Sequence, residues 1–353
     1  MTNDIRDSGR SPSPGRRALL LSTLGGVASG IAPGALAQER IELKISHYLP
    51  PVHGIHTDFI EPWAKALEES TGGKVTTRVF PGNSPFGNIA NQYDQVQAGV
   101  VDIAVGLHGI PRGRFPRTGI IDLPFLTRSA DEATRILWTL YPKYLKDEYQ
   151  GVKVLGLFAH NGGVIHTRER KVERIDDLKG LRIRSPSPAV NEMLSFLGAT
   201  PVGMPPAQVY ENLQKGVIDG VVFPWDPVKS FRLDELLRYH LEARSYTVSF
   251  YFVMNEKKYN ALPPDVRAAI DKLSGDNLIP KFGPWWDKWD AAGLAAAKAR
   301  GNTVTQLSDA DRAQWRKTLA PMIEKELDKL AKDGIANARE IYAEMQRIAA
   351  STR

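Results

Sequence analysis

The sequence predicts an α/β protein built from two similar lobes around a shared crevice. The chain has 353 residues, 42% hydrophobic and 24% charged, a balance that supports one large core or two smaller ones. A nine-residue segment, 97–105, recurs 117 residues later as 214–222. Each copy follows a strand-like run, a proline-containing loop and a helical stretch closed by glycine, which is the pattern of a strand–helix–strand unit with parallel strands.

Composition excludes several classes of protein. The chain contains no cysteine, so disulfides, zinc knuckles, iron–sulfur clusters and thiol catalysis are excluded. The net charge is +6, but the 46 basic and 40 acidic residues are both spread along the whole chain and the basic ones form no patch. This distribution argues against nucleic acid as a partner.

The first 37 residues differ from the rest and predict an export signal. Arg16 and Arg17 precede an apolar run, 18–31, and the small residues 35–37 predict cleavage before Gln38. Either twin-arginine or general secretory export fits this pattern. Since no later segment has eighteen uninterrupted apolar residues, the sequence predicts a periplasmic protein with no stable membrane insertion.

The remaining elements follow in order along the chain. Pro188 and the preceding Ser187, a predicted N-cap, mark the start of a helix that continues to Leu197. A long Trp-rich and Ala-rich helical region of the kind that can brace two lobes is predicted from about 277 to 300. The other predicted elements are strands at 41–45, 75–80, 152–158, 181–184 and 200–204, helices around 59–67 and 263–273, and a charged helical tail over 309–350.

The crevice should lie beyond the carboxyl ends of the parallel strands, where the segments 106–108 and 223–226 face each other. The sequence has no nucleophile elbow, phosphate-binding loop or dinucleotide fingerprint. His47, His53 and His56 are close enough in sequence to ligate a metal, or alternatively serve as hydrogen-bonding loop residues. Binding without chemistry, and without metal or cofactor, is favoured over a periplasmic hydrolase or metal-dependent lyase.

Arg184 is the most informative candidate for binding. It stands at the carboxyl end of a predicted strand, immediately before the capped helix. A carboxylate there would receive two parallel hydrogen bonds from the guanidinium and the positive potential of a helix N-terminus. The alternative is an ordinary surface arginine.

Three motifs in order resemble the DctP-type solute-binding proteins of tripartite ATP-independent periplasmic (TRAP) transporters. They are Asp177–Pro186, Leu197–Val202 and Val209–Gly220. The resemblance implies a two-lobed periplasmic-binding-protein-like fold with a central cleft, hinge strands and a long helix spanning both lobes. It also implies that the carboxylate of an organic acid pairs with Arg184, and that the acid is delivered to the small and large membrane subunits of a TRAP permease. Residues 38–160, with about 249–285, would form lobe I, and residues 161–248, with about 286–353, lobe II.

Two departures from the family pattern bear on the ligand. Asn161-Gly162 is not followed by an arginine until Arg168, and Val222-Phe223-Pro224 stands where many members carry an acidic-Asn-Pro run. We therefore expect a monocarboxylate with an apolar or aromatic body; a dicarboxylate or sugar acid is the alternative. In the candidate site Arg184 holds the ligand, Phe223 and Trp225 pack against it, and His160 and Tyr48 are polar partners. Asp226 is added because it lies in the segment that faces the crevice. Core or hinge roles remain open for Trp225, Phe223 and His160.

Overall fold

Two mixed β-sheets organise residues 40–351, the part of the chain that the computed structural model describes. The export signal predicted for residues 1–37 lies outside the described residues. The first sheet has the strand order β2-β1-β3-β10-β4, and the second β11-β9-β5-β8-β6-β7. The strands are β1 (Ile41–His47), β2 (Val75–Phe80), β3 (Ile103–Leu107), β4 (Val152–Ala159), β5 (Val164–Thr167), β6 (Arg182–Ser185), β7 (Thr200–Gly203), β8 (Gly220–Phe223), β9 (Tyr239–Glu242), β10 (Ser249–Asn255) and β11 (Thr303–Gln306).

The helices lie between these strands and after the last one, joined by short 3₁₀ and π segments. They are α1 (Glu61–Ser70), α2 (Gln92–Gln97), α3 (Ala130–Leu140), α4 (Pro188–Phe196), α5 (Val209–Gln214), α6 (Asp226–Ser230), α7 (Glu256–Ala261), α8 (Pro264–Lys272), α9 (Phe282–Ala299), α10 (Asp309–Lys332) and α11 (Ala338–Ser351). Within the described residues no helix is both long and apolar enough to span a bilayer.

The repeated segment does form the same unit in both sheets. In the first sheet β2 and β3 flank β1 in parallel, and in the second β7 and β8 flank β6 in parallel. The helix of each unit ends at a glycine with positive φ, Gly99 (72°) and Gly216 (68°), a conformation that glycine adopts without steric cost.

The two units also share a hydrogen-bond pattern at the start of the third strand. Asp102 accepts the backbone N–H of Lys44 at 2.8 Å, and Asp219 accepts that of Arg182 at 2.8 Å. The backbone N–H groups of these two aspartates donate back to the carbonyls of the same partners. The carboxyl ends of both parallel strand sets are thereby held in matching registers, which places the loops after them for binding.

The chain passes between the sheets three times, at 160–163, at 243–248 and through the segment that contains α9. Helix α9 packs against α3, beside the first sheet, and against α6, which follows β8 of the second. A methyl group added at Gly293 would lie 2.0 Å from the carbonyl oxygen of Trp225, and one at Gly54 would lie 2.3 Å from the Trp289 ring. Two glycines therefore allow α9 to approach both lobes closely.

The C-terminal tail departs from the predicted division in one respect. The sequence assigns residues 286–353 to lobe II, whereas α11 packs against α3 and the 3₁₀ segment Thr118–Asp122, which lie with the first sheet. Ile341, Met345 and Ala349 form its buried face. Periodicity identifies such a face but not the element that covers it. The other lobe boundaries stay a prediction.

Candidate binding site

A small cavity lies where the carboxyl ends of both parallel strand sets meet α9. Its volume is about 30 Å³. Residues after β1, β6 and β8 contribute to the wall together with the crossing segments and α9. The lining residues are Tyr48, Leu49, His53, Leu107, His160, Arg184, Pro186, Pro206, Phe223, Pro224, Pro227, Phe231, Tyr246, Val248, Phe250 and Trp286.

Arg184 is fully buried in this wall. Its Nε donates to the carbonyl of Met204 at 3.1 Å and its Nη1 to the carbonyl of Val222 at 3.3 Å, whereas its Nη2 has no hydrogen-bond partner among the described residues. Phe223 lies under the guanidinium, whose central carbon is 4.1 Å from the ring centroid. Burial lowers the pKa of Arg184 to about 10, so the side chain remains charged at neutral pH. No carboxylate in residues 40–351 lies within salt-bridge distance of it.

The two arginines of β6, Arg182 and Arg184, differ in whether the guanidinium already has a carboxylate partner. Arg182 lies two residues earlier in β6 and forms a bidentate pair with Asp219, with contacts of 3.0 and 2.6 Å. Its side chain is 45% exposed. Arg184, at the buried carboxyl end of the strand, has no such carboxylate partner among the described residues.

Two further buried donors line the same cavity. Tyr246 OH and Trp286 Nε1 are both shielded from solvent and lack a hydrogen-bond partner within the described part of the chain. Burial raises the pKa of Tyr246 well above its usual range, so its hydroxyl keeps its proton and can donate. An unpaired buried polar group is costly, so three of them around one cavity are suited to a group that accepts hydrogen bonds.

His160 and Tyr48 complete the polar part of the wall. The His160 Nδ1 contacts the carbonyl oxygen of Asn161, and the ring lies edge-on to Tyr246 and Trp286, both at 5.7 Å between centroids. Burial lowers the pKa of His160 to about 4, so the ring is neutral at physiological pH. Burial raises the pKa of Tyr48, whose phenol is likewise neutral.

Four of the predicted site residues, Arg184, Phe223, His160 and Tyr48, line this one cavity. Trp225 does not. Its Nε1 donates to Glu242 at 2.7 Å and its ring packs against His166 and His240, so it belongs to the core. Phe223 ends β8, but the backbone at Trp225 has already turned helical (φ −75°, ψ −32°), so strand alternation no longer applies and the ring points elsewhere.

Asp226 is likewise absent from the cavity wall. Its carboxylate accepts the Nε2 of His53 at 2.9 Å and the hydroxyl of Ser230 at 2.9 Å, and its backbone N–H donates to Asp290. Because His53 follows β1 and Asp226 follows β8, the pair joins the two lobes beside the cavity. Asp226 is therefore a bridge between lobes rather than a group that faces a ligand.

The histidines considered for a metal are occupied by hydrogen bonds. His47 contacts His56 at 2.9 Å, and His56 contacts Glu61 at 3.1 Å. Nδ1 of His53 accepts the backbone N–H of Ile55, which leaves Nε2 to donate to Asp226. Residues 40–351 contain no group of three His, Asp or Glu side chains placed to hold a metal ion.

Sequence reasoning missed Tyr246 and Trp286. Trp286 is one of several tryptophans on α9, and no sequence pattern sets it apart from the others. Tyr246 lies in the connection between β9 and β10, which has no periodic pattern. Ser187 differs from its predicted role as an N-cap in one respect. It precedes α4 as predicted, but its hydroxyl makes no capping hydrogen bond. No local signal distinguishes a buried tryptophan that has a partner from one that lacks it.

A two-lobed α/β fold whose junction holds a buried cation, unpaired within the described part of the chain, defines a binding protein for small organic anions. The family model for "bacterial extracellular solute-binding protein, family 7" (DctP) matches residues 45–329. The chain belongs to this family, and the predicted fold class and resemblance are confirmed.

Solved structures of TRAP solute-binding proteins are similar over most of the chain. One from Rhodoferax ferrireducens T118, in complex with copurified benzoate, is 32% identical, with 88% of this chain and 98% of that chain covered and a TM-score of 0.84. One from a marine metagenome, specific for aromatic acids and complexed with 3-hydroxybenzoate, is 30% identical (88% and 98% covered, TM-score 0.85). One from Bordetella bronchiseptica, with bound mandelate, is 30% identical (89% and 100% covered, TM-score 0.80).

Proposed function

We propose that this protein binds a monocarboxylate with an apolar or aromatic body in the Arg184 cavity and delivers it, chemically unchanged, from the periplasm to the membrane subunits of a TRAP permease. The observation that carries the proposal is that three residues lining one cavity each carry a buried donor without a partner among residues 40–351. These donors are Arg184 Nη2, Tyr246 OH and Trp286 Nε1. A carboxylate offers two oxygens and about four lone-pair sites, enough for all three donors.

The rest of the wall supports one negative charge on the ligand and not two. Arg184 is the one arginine or lysine among the lining residues, and His160 is neutral. Both ring nitrogens of His53 are used within the protein. Most other lining side chains are apolar, including Leu107, Phe231, Val248 and Phe250. The similar proteins solved with benzoate, 3-hydroxybenzoate and mandelate bind ligands of this kind.

Ligand entry requires the wall to move. A cavity of about 30 Å³ accommodates one water molecule, whereas a cavity that binds benzene measures on the order of 150 Å³. Because the wall combines Tyr48 of the first lobe, Arg184 of the second and Trp286 of α9, a hinge motion between the lobes enlarges it most directly. Ligand contacts formed on both lobes only after closure would then favour the closed state.

The test is a binding survey of the purified protein by thermal shift and calorimetry. Aliphatic, aromatic, dicarboxylic and sugar acids are compared, and a ligand at about a hundred times its dissociation constant should add roughly 2.7 kcal/mol of stability. Aromatic or apolar monocarboxylates should stabilise most, and mass spectrometry should recover them unaltered. Preferential binding of a dicarboxylate or sugar acid, or conversion of the ligand, would contradict the proposal.

A further inference from the structure

His160 differs from the other polar groups of the cavity in what it offers a ligand. Arg184 Nη2, Tyr246 OH and Trp286 Nε1 all present hydrogen-bond donors. The side chain of His160 lies among them, 2% exposed, with Phe250 edge-on at 6.2 Å between ring centroids. Whether this ring donates or accepts depends on which nitrogen carries its proton.

The contact with Asn161 fixes the position of the proton. The partner of Nδ1 is a backbone carbonyl oxygen, which only accepts, so the hydrogen must be on Nδ1. In the neutral ring Nε2 then has a lone pair and no hydrogen. Nε2 has no hydrogen-bond partner among residues 40–351. Burial and the nearby charge of Arg184 both lower the pKa of His160, which keeps this neutral form over the physiological range.

Arg184 and Trp286 can only donate and the Tyr246 hydroxyl can do either, whereas the lone pair of His160 Nε2 can only accept. Such an acceptor is poorly suited to a carboxylate, whose oxygens are themselves acceptors. We propose that His160 Nε2 accepts a hydrogen bond from a hydroxyl group on the ligand, so that the preferred substrates are hydroxy-substituted monocarboxylates. This inference rests on the proposed function and names its substrate class more closely. The carboxylate occupies the three donors, and the hydroxyl donates to His160.

The experiment measures affinities for two ligand pairs that differ by one hydroxyl: mandelate with phenylacetate, and 3-hydroxybenzoate with benzoate. The first pair places the hydroxyl next to the carboxylate and the second places it on the ring, so the pairs also locate the donor. We expect the hydroxylated member of at least one pair to bind about ten to a hundred times more tightly to the wild-type protein.

Two variants assign that preference to a residue. His160→Phe keeps an aromatic ring but removes the acceptor, and it should reduce the hydroxyl preference to about one while the unsubstituted acid still binds. His56→Phe is the matched control, because His56 is also buried and hydrogen-bonded but does not line the cavity. It should leave the preference unchanged. If either variant fails to fold, ¹⁵N-histidine spectra of the wild-type protein give an independent readout. They should show a histidine protonated on Nδ1 whose Nε2 signal shifts with the hydroxylated acid only.

The outcomes separate this inference from the proposed function. Equal or weaker binding of both hydroxylated acids, an undiminished preference in His160→Phe, or a proton on Nε2 would overturn the role of His160 while leaving monocarboxylate binding intact. Absence of binding for all four acids would instead overturn the proposed function, and the substrate class inferred here with it.

Discussion

Replacing Arg184 by methionine should abolish tight binding while leaving the stability of the ligand-free protein nearly unchanged. Methionine fills a similar length of side chain without the charge. The two effects separate because the guanidinium is buried and has no counter-ion among residues 40–351. A binding protein is expected to contain a charged group that destabilises the ligand-free fold but strengthens ligand binding.

The magnitude follows from the contacts of Arg184. Burial lowers its pKa from 12.5 to about 10, and at about 1.4 kcal/mol for each pKa unit the charge costs the folded state roughly 3 to 4 kcal/mol. The substitution removes that cost but leaves the carbonyls of Met204 and Val222 unpaired, at about 1 to 3 kcal/mol each. These effects largely cancel in the free protein. In the complex the ligand carboxylate would be buried without its cation, which should weaken binding by about 3 to 5 kcal/mol.

Urea denaturation measures the first effect and calorimetry with benzoate or mandelate the second. Arg182→Met is the matched control, because Arg182 lies in the same strand but pairs with Asp219 away from the cavity. It should retain ligand affinity. Wild-type affinity in Arg184→Met, or a loss of several kcal/mol of stability without ligand, would refute the reasoning, since the arginine would then serve the fold and not the ligand.

Three further predictions concern the packing under Arg184, the buried titratable groups and α9. Phe223→Leu should weaken acid binding by about three- to thirtyfold in calorimetry, because the ring under the guanidinium is lost; unchanged affinity would exclude a role for that stacking. The free energy of unfolding should be greatest near pH 6 to 6.5. Toward pH 4.5 this free energy should fall by up to about 3 kcal/mol per pH unit. The reason is that folding lowers the pKa values of four buried histidines from 6.5 to about 3 or 4, namely His47, His108, His160 and His240. In this pH range the unfolded chain therefore binds protons that the folded chain does not bind. Toward pH 8 the free energy of unfolding should fall again, because burial raises the pKa of Asp122 to about 8 and that of Asp290 to about 7. The folded chain then holds protons that the unfolded chain releases. Urea titrations in which stability rises steadily to pH 8 would contradict this prediction. Gly293→Ala should cost about 3 kcal/mol in the same assay, since the new methyl would meet the Trp225 carbonyl, whereas Gly119→Ala, with open space around it, should cost nothing; equal effects would argue against close packing of α9.

Local sequence patterns were sufficient to predict the two strand–helix–strand units and to single out Arg184. The repeated segment predicts two strand–helix–strand units because its glycines and apolar residues occupy positions set by backbone geometry alone. Arg184 is predictable for a similar reason, since it stands between a strand end and a helix start. Both features depend on a few neighbours in sequence.

The remaining site depends on contacts between distant segments. Tyr246, in an irregular connection, and Trp286, on α9, meet Arg184 only through tertiary packing. Trp225 shows the converse error, because a single turn of backbone between β8 and α6 sends its ring away from the cavity. Residue type and position near a strand end therefore predict which loops face the crevice, but not which side chains reach it.

The duplicated hydrogen bonds have a consequence for the balance between the two halves of the protein. Since Lys44 and Arg182 bond their aspartates in the same way, Ser46 in the first half occupies the position that Arg184 holds in the second. Ser46 is buried and donates to Gln92 at 2.7 Å. The two halves thus share a backbone arrangement but differ in charge at this position. An anion is attracted electrostatically by the second half and meets mainly a complementary surface on the first.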